Sequence, residues 1–555
     1  MMETTAADAP QGGPVRAGSK WVYALFVGLC CVVSLWARWK VNLPRTAVNH
    51  GDIAFYYTVA KNLVEGRGFQ IDYIWTYWSH PEGIPTPSNL WWMPLPSLIG
   101  AVGMWLGEVN YVSAQAATIV FASILPWPVY LLGRDLWGCR RVGIVGAALS
   151  TTFHLFMDQP AALLSHCPYV VFATLTLWIA LRLVRAQDMT RWALAFGLSL
   201  AFTQLSRSDG ILLVGSLGAA FLFQRRLPTL KVVAMIVLGY ALIMSPWWVR
   251  NAQDFGAAMP GGSFRAMFMT EYESWYSLPE SVTPEGYFAE GWERIAETKW
   301  NTARSTFKSM TQGMVEGSAS KVLARDSVAV VGLMWLAWFG LLGTFKRQFG
   351  FLWAHALFEF GFYTVLFTSV ATESFRSGMY SLYPFLVICA GRGIQTLAHV
   401  VTTPLAKQEA LRQRVAGALI AVTVAGFAWG QYEFSERNVL RKSEGIDRLN
   451  DFHEVLANRV LRPLGLDQTI LMTREVHELW AISEQPCIQI PFEPEPVVRE
   501  VAKRYGATHL LFIGEHALAI RPGLKWIDRH PGYELIVPPT MIKGQQVSIY
   551  EILDV

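Results

Sequence analysis

Along most of this chain, apolar runs long enough to cross a bilayer alternate with short polar turns, and over the last quarter the runs shorten and alternate with amphipathic stretches. A helix needs about 20 predominantly apolar residues to span the hydrocarbon core. On that basis the pattern predicts about eleven spans, near 21–39, 112–133, 142–157, 168–186, 191–206, 210–225, 231–249, 328–345, 350–371, 379–399 and 414–432. One more apolar stretch, Leu90 to Gly107, carries Pro94 and Pro96 and sits between polar turns.

Lys and Arg decide its status, because short cytoplasmic loops collect them. If Leu90–Gly107 does not span, then Arg16/Lys20, Arg134/Arg140/Arg141, Arg182/Arg185, Arg225/Arg226/Lys231, Lys346/Arg347 and Lys407/Arg412/Arg414 all fall inside. Only Arg38, Lys40 and Arg45 fit that arrangement badly. The prediction is therefore a disordered cytoplasmic N-terminus (1–20), a transmembrane domain (21–432) with outer loops at about 40–111 and 250–326, and an outer C-terminal domain (433–555). Leu90–Gly107 becomes an embedded, non-spanning segment on the outer face, tolerated when packed against protein.

The periodicity of the last segment predicts strands at Thr469–Met472, Ile488–Pro491 and Thr508–Gly514. Helices REVHELWAISEQ and EPVVREVAKRYG lie between them, and YELIV and VSIYEIL are edge-strand candidates. Apolar strands alternating with helices imply a small α/β domain with a parallel core. No Gly-rich phosphate loop follows the first strand, which argues against a nucleotide site.

Composition fits this picture. Of 555 residues, 52% are hydrophobic and only 16% charged, where soluble domains run near 25%. A net charge of +4 with no basic run excludes a nucleic-acid partner on this reading, and the six Cys suggest no disulfide framework.

Ionisable residues at membrane depth or at the interface are expensive, so they are candidates for function. NHGDIAFYYTVAKNLVEGRGF (Asn49–Phe69) predicts a helix lying on the outer membrane surface, with Asp52 at its start either as a cap or as a reactive carboxylate. WSHPEG contributes His80 and Glu82; FMDQP contributes Asp158 at the end of the third span. RSDG contributes Arg207 beside Asp209, with a simple pairing of the two as the alternative, PWWVRN contributes Arg250, and ESFRSGMYSLYP contributes Arg376 and Tyr380. Arg forks suit phosphate oxygens, while snorkelling to the interface is the alternative for each arginine. His355 and Glu359 share a face of the ninth span and predict a buried polar link between helices. The loop at 250–326 mixes aromatic and acidic residues and predicts a mobile cover over a substrate.

An Asp after the first span, an aromatic surface helix running into G-x-G-F, a Pro-rich embedded segment, RSDG, PWWVRN and an Arg–Tyr pair before a Pro-containing span together resemble the GT-C glycosyltransferases. The resemblance covers roughly residues 20–430 and is nearest the branch of protein O-mannosyltransferases and the lipid A aminoarabinose transferase. It implies an inner-membrane glycosyltransferase of the cell envelope. The donor would be a polyprenyl-phosphate sugar and the acceptor a lipid, glycan or protein at the extracytoplasmic face, with Asp52 as base. His80, Glu82, Asp158, Arg207, Arg250, Arg376 and Tyr380 would then bind substrate. Asp52 is followed by Ile53, where O-mannosyltransferases carry an Asp–Glu pair, and the oligosaccharyltransferase motif WWDYG is absent. No cofactor is read from the sequence; a divalent metal, as in the oligosaccharyltransferase branch, stays open. The alternative function is a transporter or flippase of a lipid-linked sugar, against which stand the absence of a repeat of spans and the gathering of polar residues on one face.

Overall fold

The computed structural model describes residues 18–46, 48, 51–158, 161–260, 262–313, 328–346, 349–367, 371–514 and 521–553. The predicted disordered N-terminus therefore lies outside the described residues apart from 18–20. The chain opens with α1 (Gly18–Asn42) and α2 (Gly51–Val64), then β1 (Gln70–Ile71), β2 (Tyr73–Ile74) and β3 (Thr86–Pro87). A helical bundle follows: α3 (Leu95–Leu106), α4 (Tyr111–Ala122), α5 (Pro126–Trp137), α6 (Arg140–Ser150), α7 (His154–Met157), α8 (His166–Arg185), α9 (Thr190–Ser206), α10 (Leu213–Phe223) and α11 (Leu230–Phe255). A long loop holds α12 (Gly262–Arg265), α13 (Pro284–Ala289) and α14 (Trp292–Gly313). The bundle resumes with α15 (Val328–Leu341), α16 (Gly350–Gly361), α17 (Ala371–Gly378), α18 (Tyr383–Val401) and α19 (Glu409–Leu456).

Among the described residues, six helical stretches are long and apolar enough to cross a membrane by length and composition: Trp21–Asn42, Tyr111–Trp137, His166–Arg185, Leu230–Phe255, Tyr383–Val401 and Glu409–Leu461. The other predicted spans are shorter or broken helices. The stretch at 142–157 is split between α6 and α7, and α9, α10, α15 and α16 have 17, 11, 14 and 12 residues. Short helices survive in the bundle because their neighbours bury them. In α9 and α11, Gly197 and Gly239 let the two backbones touch: a Cβ on Gly197 would stand 2.1 Å from the Ile236 carbonyl oxygen, and one on Gly239 2.4 Å from that of Leu194. Outward, α1 exposes Trp21, Leu25 and Leu29, and α11 exposes Leu230, Val237 and Leu242, an apolar surface that suits lipid rather than water.

Leu90–Gly107 becomes α3, which starts behind Pro94 and is 12 residues long. At 1.5 Å per residue it reaches about 18 Å, so it is no shorter than α10 or α16 and its length alone does not set it apart from them. It packs between α2 and α4, with Gly100 facing Ala60 and Leu163 and Gly103 against Ser113. The two awkward arginines also find their reasons. Arg38 is fully buried and donates from Nε to the Phe156 carbonyl (3.2 Å) and from Nη1 to that of Thr151 (3.2 Å), where the break between α6 and α7 leaves backbone acceptors unpaired. Arg45 pairs with Asp158 at 2.7 Å.

The C-terminal segment contributes β4 (Ile470–Thr473), α20 (Val476–Ser483), β5 (Cys487–Gln489), α21 (Glu495–Tyr505), β6 (Ala507–Ile513), β7 (Tyr533–Ile542) and β8 (Gln545–Ile552). β4 pairs in parallel with β5 and β6, and β8 and then β7 continue antiparallel from β6. The sixth strand comes from elsewhere: β2, in the first long loop, pairs in parallel with β5, Tyr73 opposite Cys487 and Ile74 opposite Ile488. The sheet is thus completed by a segment about 400 residues earlier in the chain, and α19 runs without interruption through residue 432 into this part of the molecule. The loop predicted to be a mobile cover is pinned over part of its length. Glu273 pairs with Arg474 (2.7 Å) and with Arg521, the Phe492 amide donates to the Tyr276 carbonyl (3.1 Å), and the Leu278 amide to Glu493 (2.8 Å).

Candidate active site

The charged residues divide between two ends of the bundle. At one end, Arg134, Arg182 and Arg185 gather on Asp135, and Arg226 donates to the Val184 carbonyl at 2.8 Å. This is the end predicted to be cytoplasmic. The sequence-predicted site residues lie at the other end, under the first long loop.

α2 begins at Gly51, so Asp52 stands in the first helical turn rather than at a cap, where a carboxylate complements the free N–H groups. Its carboxylate acts on two phenols: burial pushes both Tyr56 and Tyr272 upward, and Asp52 pushes each further. Tyr56 carries the arrangement inward, since it is fully buried, reaches Ser165 and lies within electrostatic reach of Arg207. The start of α2 is pressed on α20 of the C-terminal segment, with Gly51 facing His477 and Glu478.

Arg207 is committed to its neighbours. It holds Asp209 through Nε (3.1 Å) and Nη2 (2.9 Å), donates to Ser165 (3.4 Å) and lies over the Tyr169 ring at 5.5 Å. Tyr363 donates to Asp209, Tyr169 donates to Glu359 (3.4 Å), and His355 bonds Ser381 at 2.8 Å beside Glu359. The predicted polar link within the ninth span and the RSDG turn are therefore one buried network. Gly378 closes it, because a Cβ there would come within 2.8 Å of Glu359.

Asp158 pairs with Arg45 and lies within electrostatic reach of Tyr380, whose ring packs edge-on to His166 at 4.7 Å. His166 bonds Ser377 at 3.0 Å, next to Arg376, and Arg376 itself is exposed and acts on Tyr383. His166 and Ser165 sit at the start of α8, so both halves of the site, Asp52–Tyr56–Arg207 and Asp158–Tyr380–Arg376, meet at that helix N-terminus. Sequence reasoning missed both residues. The signal was a Ser–His pair at the mouth of a span, in LLSHCP.

Three predicted residues do not join. His80 and Glu82 are exposed on a turn beyond β2, where the neighbouring Pro81 carbonyl accepts from Tyr505 of α21 at 2.8 Å. Arg250 is held in a structural role by contacts on every side. Its Nη2 donates to the carbonyls of Phe69 (3.0 Å) and Ser88 (2.7 Å), Nε pairs with Asp254 at 2.7 Å, and the side chain stacks on Trp247 and Phe255 at 4.9 Å. Among the described residues, no three or more His, Cys, Asp and Glu side chains are drawn together as a metal would require, so no step is routed through one.

The model of the dolichyl-phosphate-mannose-protein mannosyltransferase family matches residues 85–249. No curated protein matches the chain. ArnT from Cupriavidus metallidurans, solved with undecaprenyl phosphate, shares the fold at a TM-score of 0.56 and 14% identity, over 96% of this chain and 98% of that one. The archaeal oligosaccharyltransferase AglB from Archaeoglobus fulgidus, in complex with an inhibitory peptide and a dolichol-phosphate, matches at 0.55 and 12% identity, over 89% and 70%. The arabinofuranosyltransferase AftD from Mycobacteria matches at 0.52 and 12% identity, covering 96% of this chain and 40% of that one.

Proposed function

We propose that the chain is a GT-C-type membrane glycosyltransferase that moves a sugar from a polyprenyl-phosphate donor to an envelope acceptor at the extracytoplasmic face of the inner membrane, with Asp52 as general base. The observation that carries the reading is the position of Asp52, in the first turn of α2, a helix packed between α3 and α20, and electrostatically joined to Tyr56 and Tyr272, at the same end of the bundle as Arg376. A sugar phosphate anchored in lipid reacts at the interface, so base and phosphate ligand both belong there. In the proposed step Asp52 takes the proton of an acceptor hydroxyl, whose oxygen bonds the anomeric carbon as the bond from that carbon to the phosphate oxygen breaks. The polyprenyl phosphate leaves with the electron pair, and Arg376 and the α8 N-terminus offset its charge. The crossing of the membrane by all eleven predicted segments, the outward placement of the C-terminal sheet and the embedded, non-spanning α3 belong to the same proposal.

Asp52→Asn tests it. Asn keeps the size of Asp but lacks the basic carboxylate, so the protein should stay folded while transfer from a polyprenyl-phosphate sugar falls about 10²–10⁴-fold. Full activity in the Asn variant would reduce Asp52 to a helix-start residue and pass the role to Asp158.

A further inference from the structure

The second long loop carries one helix of 22 residues, α14, and its exposed side is not uniform. Trp292, Ala296, Trp300, Ala303 and Phe307 recur every three or four residues and so form one stripe along it. The three aromatic members are 74%, 70% and 59% exposed, and Phe288 of α13 extends the stripe by packing its ring on Trp292 at 5.3 Å. Ile295 and Thr306, on the neighbouring face, are buried, while Glu297, Asn301, Arg304 and Lys308 are exposed on the far face. The helix thus has three faces: one meets protein, one is polar, and one turns aromatic rings outward.

Where α14 is held says what meets those rings. Lys299 donates to the Phe367 carbonyl at 3.0 Å, one residue past the helical run that begins with α16 and continues through a wider turn at Phe362–Leu366. α14 packs on that turn and on α17, the helix of Arg376. Along the same run Leu357, Phe358 and Val365 are exposed, as α1 and α11 expose their own apolar side chains. A lipid-facing surface therefore runs up to the point where α14 is pinned. A helix fixed at that level, with Trp on one face and Arg304 and Lys308 on the next, matches the membrane interface. There indole rings rest among the headgroups and long basic side chains reach the phosphates. We propose that α14 is an interfacial helix whose Trp292–Trp300–Phe307 stripe is seated in the bilayer leaflet on the side of the candidate site. The inference goes beyond the transferase reading and stands whichever residue is the base.

Photo-cross-linking of the full chain in nanodiscs of phosphatidylcholine and phosphatidylglycerol tests it. A photoreactive benzoylphenylalanine takes the place of Trp300 or, separately, of Asn301 on the polar face, and the irradiated protein is weighed by mass spectrometry. The same probe in place of Leu25, 76% exposed on α1, gives the yield of a lipid-facing site. Both exposed positions of α14 tolerate the change without disturbing the core, and monodispersity on size exclusion checks this for each variant. At 300 the main product should be a chain carrying a phospholipid, in a yield within severalfold of that at 25, and at 301 the lipid adduct should be lost. A lipid adduct at 25 with none at 300 would overturn the proposal, as would equal labelling at 300 and 301. So would a product of doubled mass at 300, which would make the stripe a contact between two copies, or a cross-link from 300 to residues 314–327 of the same chain. None of these readings depends on sugar transfer, so their failure and that of Asp52 as base are told apart.

Discussion

Arginine shows how far residue type alone leads. Arg207, Arg250 and Arg376 look alike in sequence, yet the structure separates them by what surrounds each. Arg207 neutralises Asp209 in a site where Asp209 is 5% exposed. Breaking a buried pair costs about 3–5 kcal/mol because the remaining charge stays unpaired, whereas removing both charges costs far less. We therefore expect Arg207→Met to lower the melting temperature sharply and Asp209→Leu in the same chain to restore most of it; two single losses that simply add would refute the pairing. Arg376, exposed beside Ser377 and Tyr383, is expected to act on substrate instead. Arg376→Ala should leave the melting temperature unchanged and raise the KM for the polyprenyl-phosphate sugar about tenfold or more, the range for a hydrogen bond to a charged group. Donor and acceptor titrations check it, and an unchanged donor KM and kcat would remove Arg376 from the site.

At the scale of elements, two contacts decide the architecture. α9 and α11 approach so closely at Gly197 and Gly239 that no side chain fits between them. Gly239→Ala should cost about 1–3 kcal/mol, the usual penalty of overpacking, and appear as a lower melting temperature in size-exclusion assays of heated protein. A parental melting curve would mean the helices slide apart freely. The second contact joins α19 to the turn before α20. His453 is buried, bonds Glu475 at 3.2 Å through Nε2 and the Leu449 carbonyl through Nδ1. Burial pulls its pKa down, but Glu475, the carbonyl and Glu478 outweigh this and leave it above the usual 6.5. A histidine whose folded pKa is raised contributes stability that is complete below the unfolded value and lost as pH rises through the folded one. Between pH 5.5 and 9 the melting temperature should therefore fall more in the parent than in Glu475→Gln. Parallel curves would show that the pair holds nothing.

For the whole molecule, we expect the C-terminal sheet and the bundle to unfold together, because the two long loops and α2 tie them. β2 and β5 share backbone hydrogen bonds, Glu273 ties the second long loop to Arg474 and Arg521, and His477 packs among Phe55, Tyr73, Trp75 and Trp92. A chain ended after Glu433 would expose these faces and leave α2, with Asp52, unsupported at its start. It should aggregate on detergent extraction. A monodisperse truncated protein with parental tryptophan emission would refute the single unit.

Sequence by itself determined what depends on local chemistry: apolar length, the clustering of Lys and Arg on one side, the period-two strands and 3.6-period helices of the last segment, and the gathering of acids and arginines at one end of the chain's turns. Each follows from hydrophobic burial or helix geometry within a few turns of a residue. Tertiary structure alone decided the rest. The break that Arg38 seals, the pairing of Arg45 with Asp158, the bonds of Arg250 to the Phe69 and Ser88 carbonyls, and the seating of the His80–Glu82 turn against Tyr505 all depend on partners more than 40 residues away or on another element's surface. β2 is the clearest case. Two residues have no periodicity to read, and they become a strand only because the edge of β5, some 400 residues later, offers unpaired backbone groups for them to satisfy.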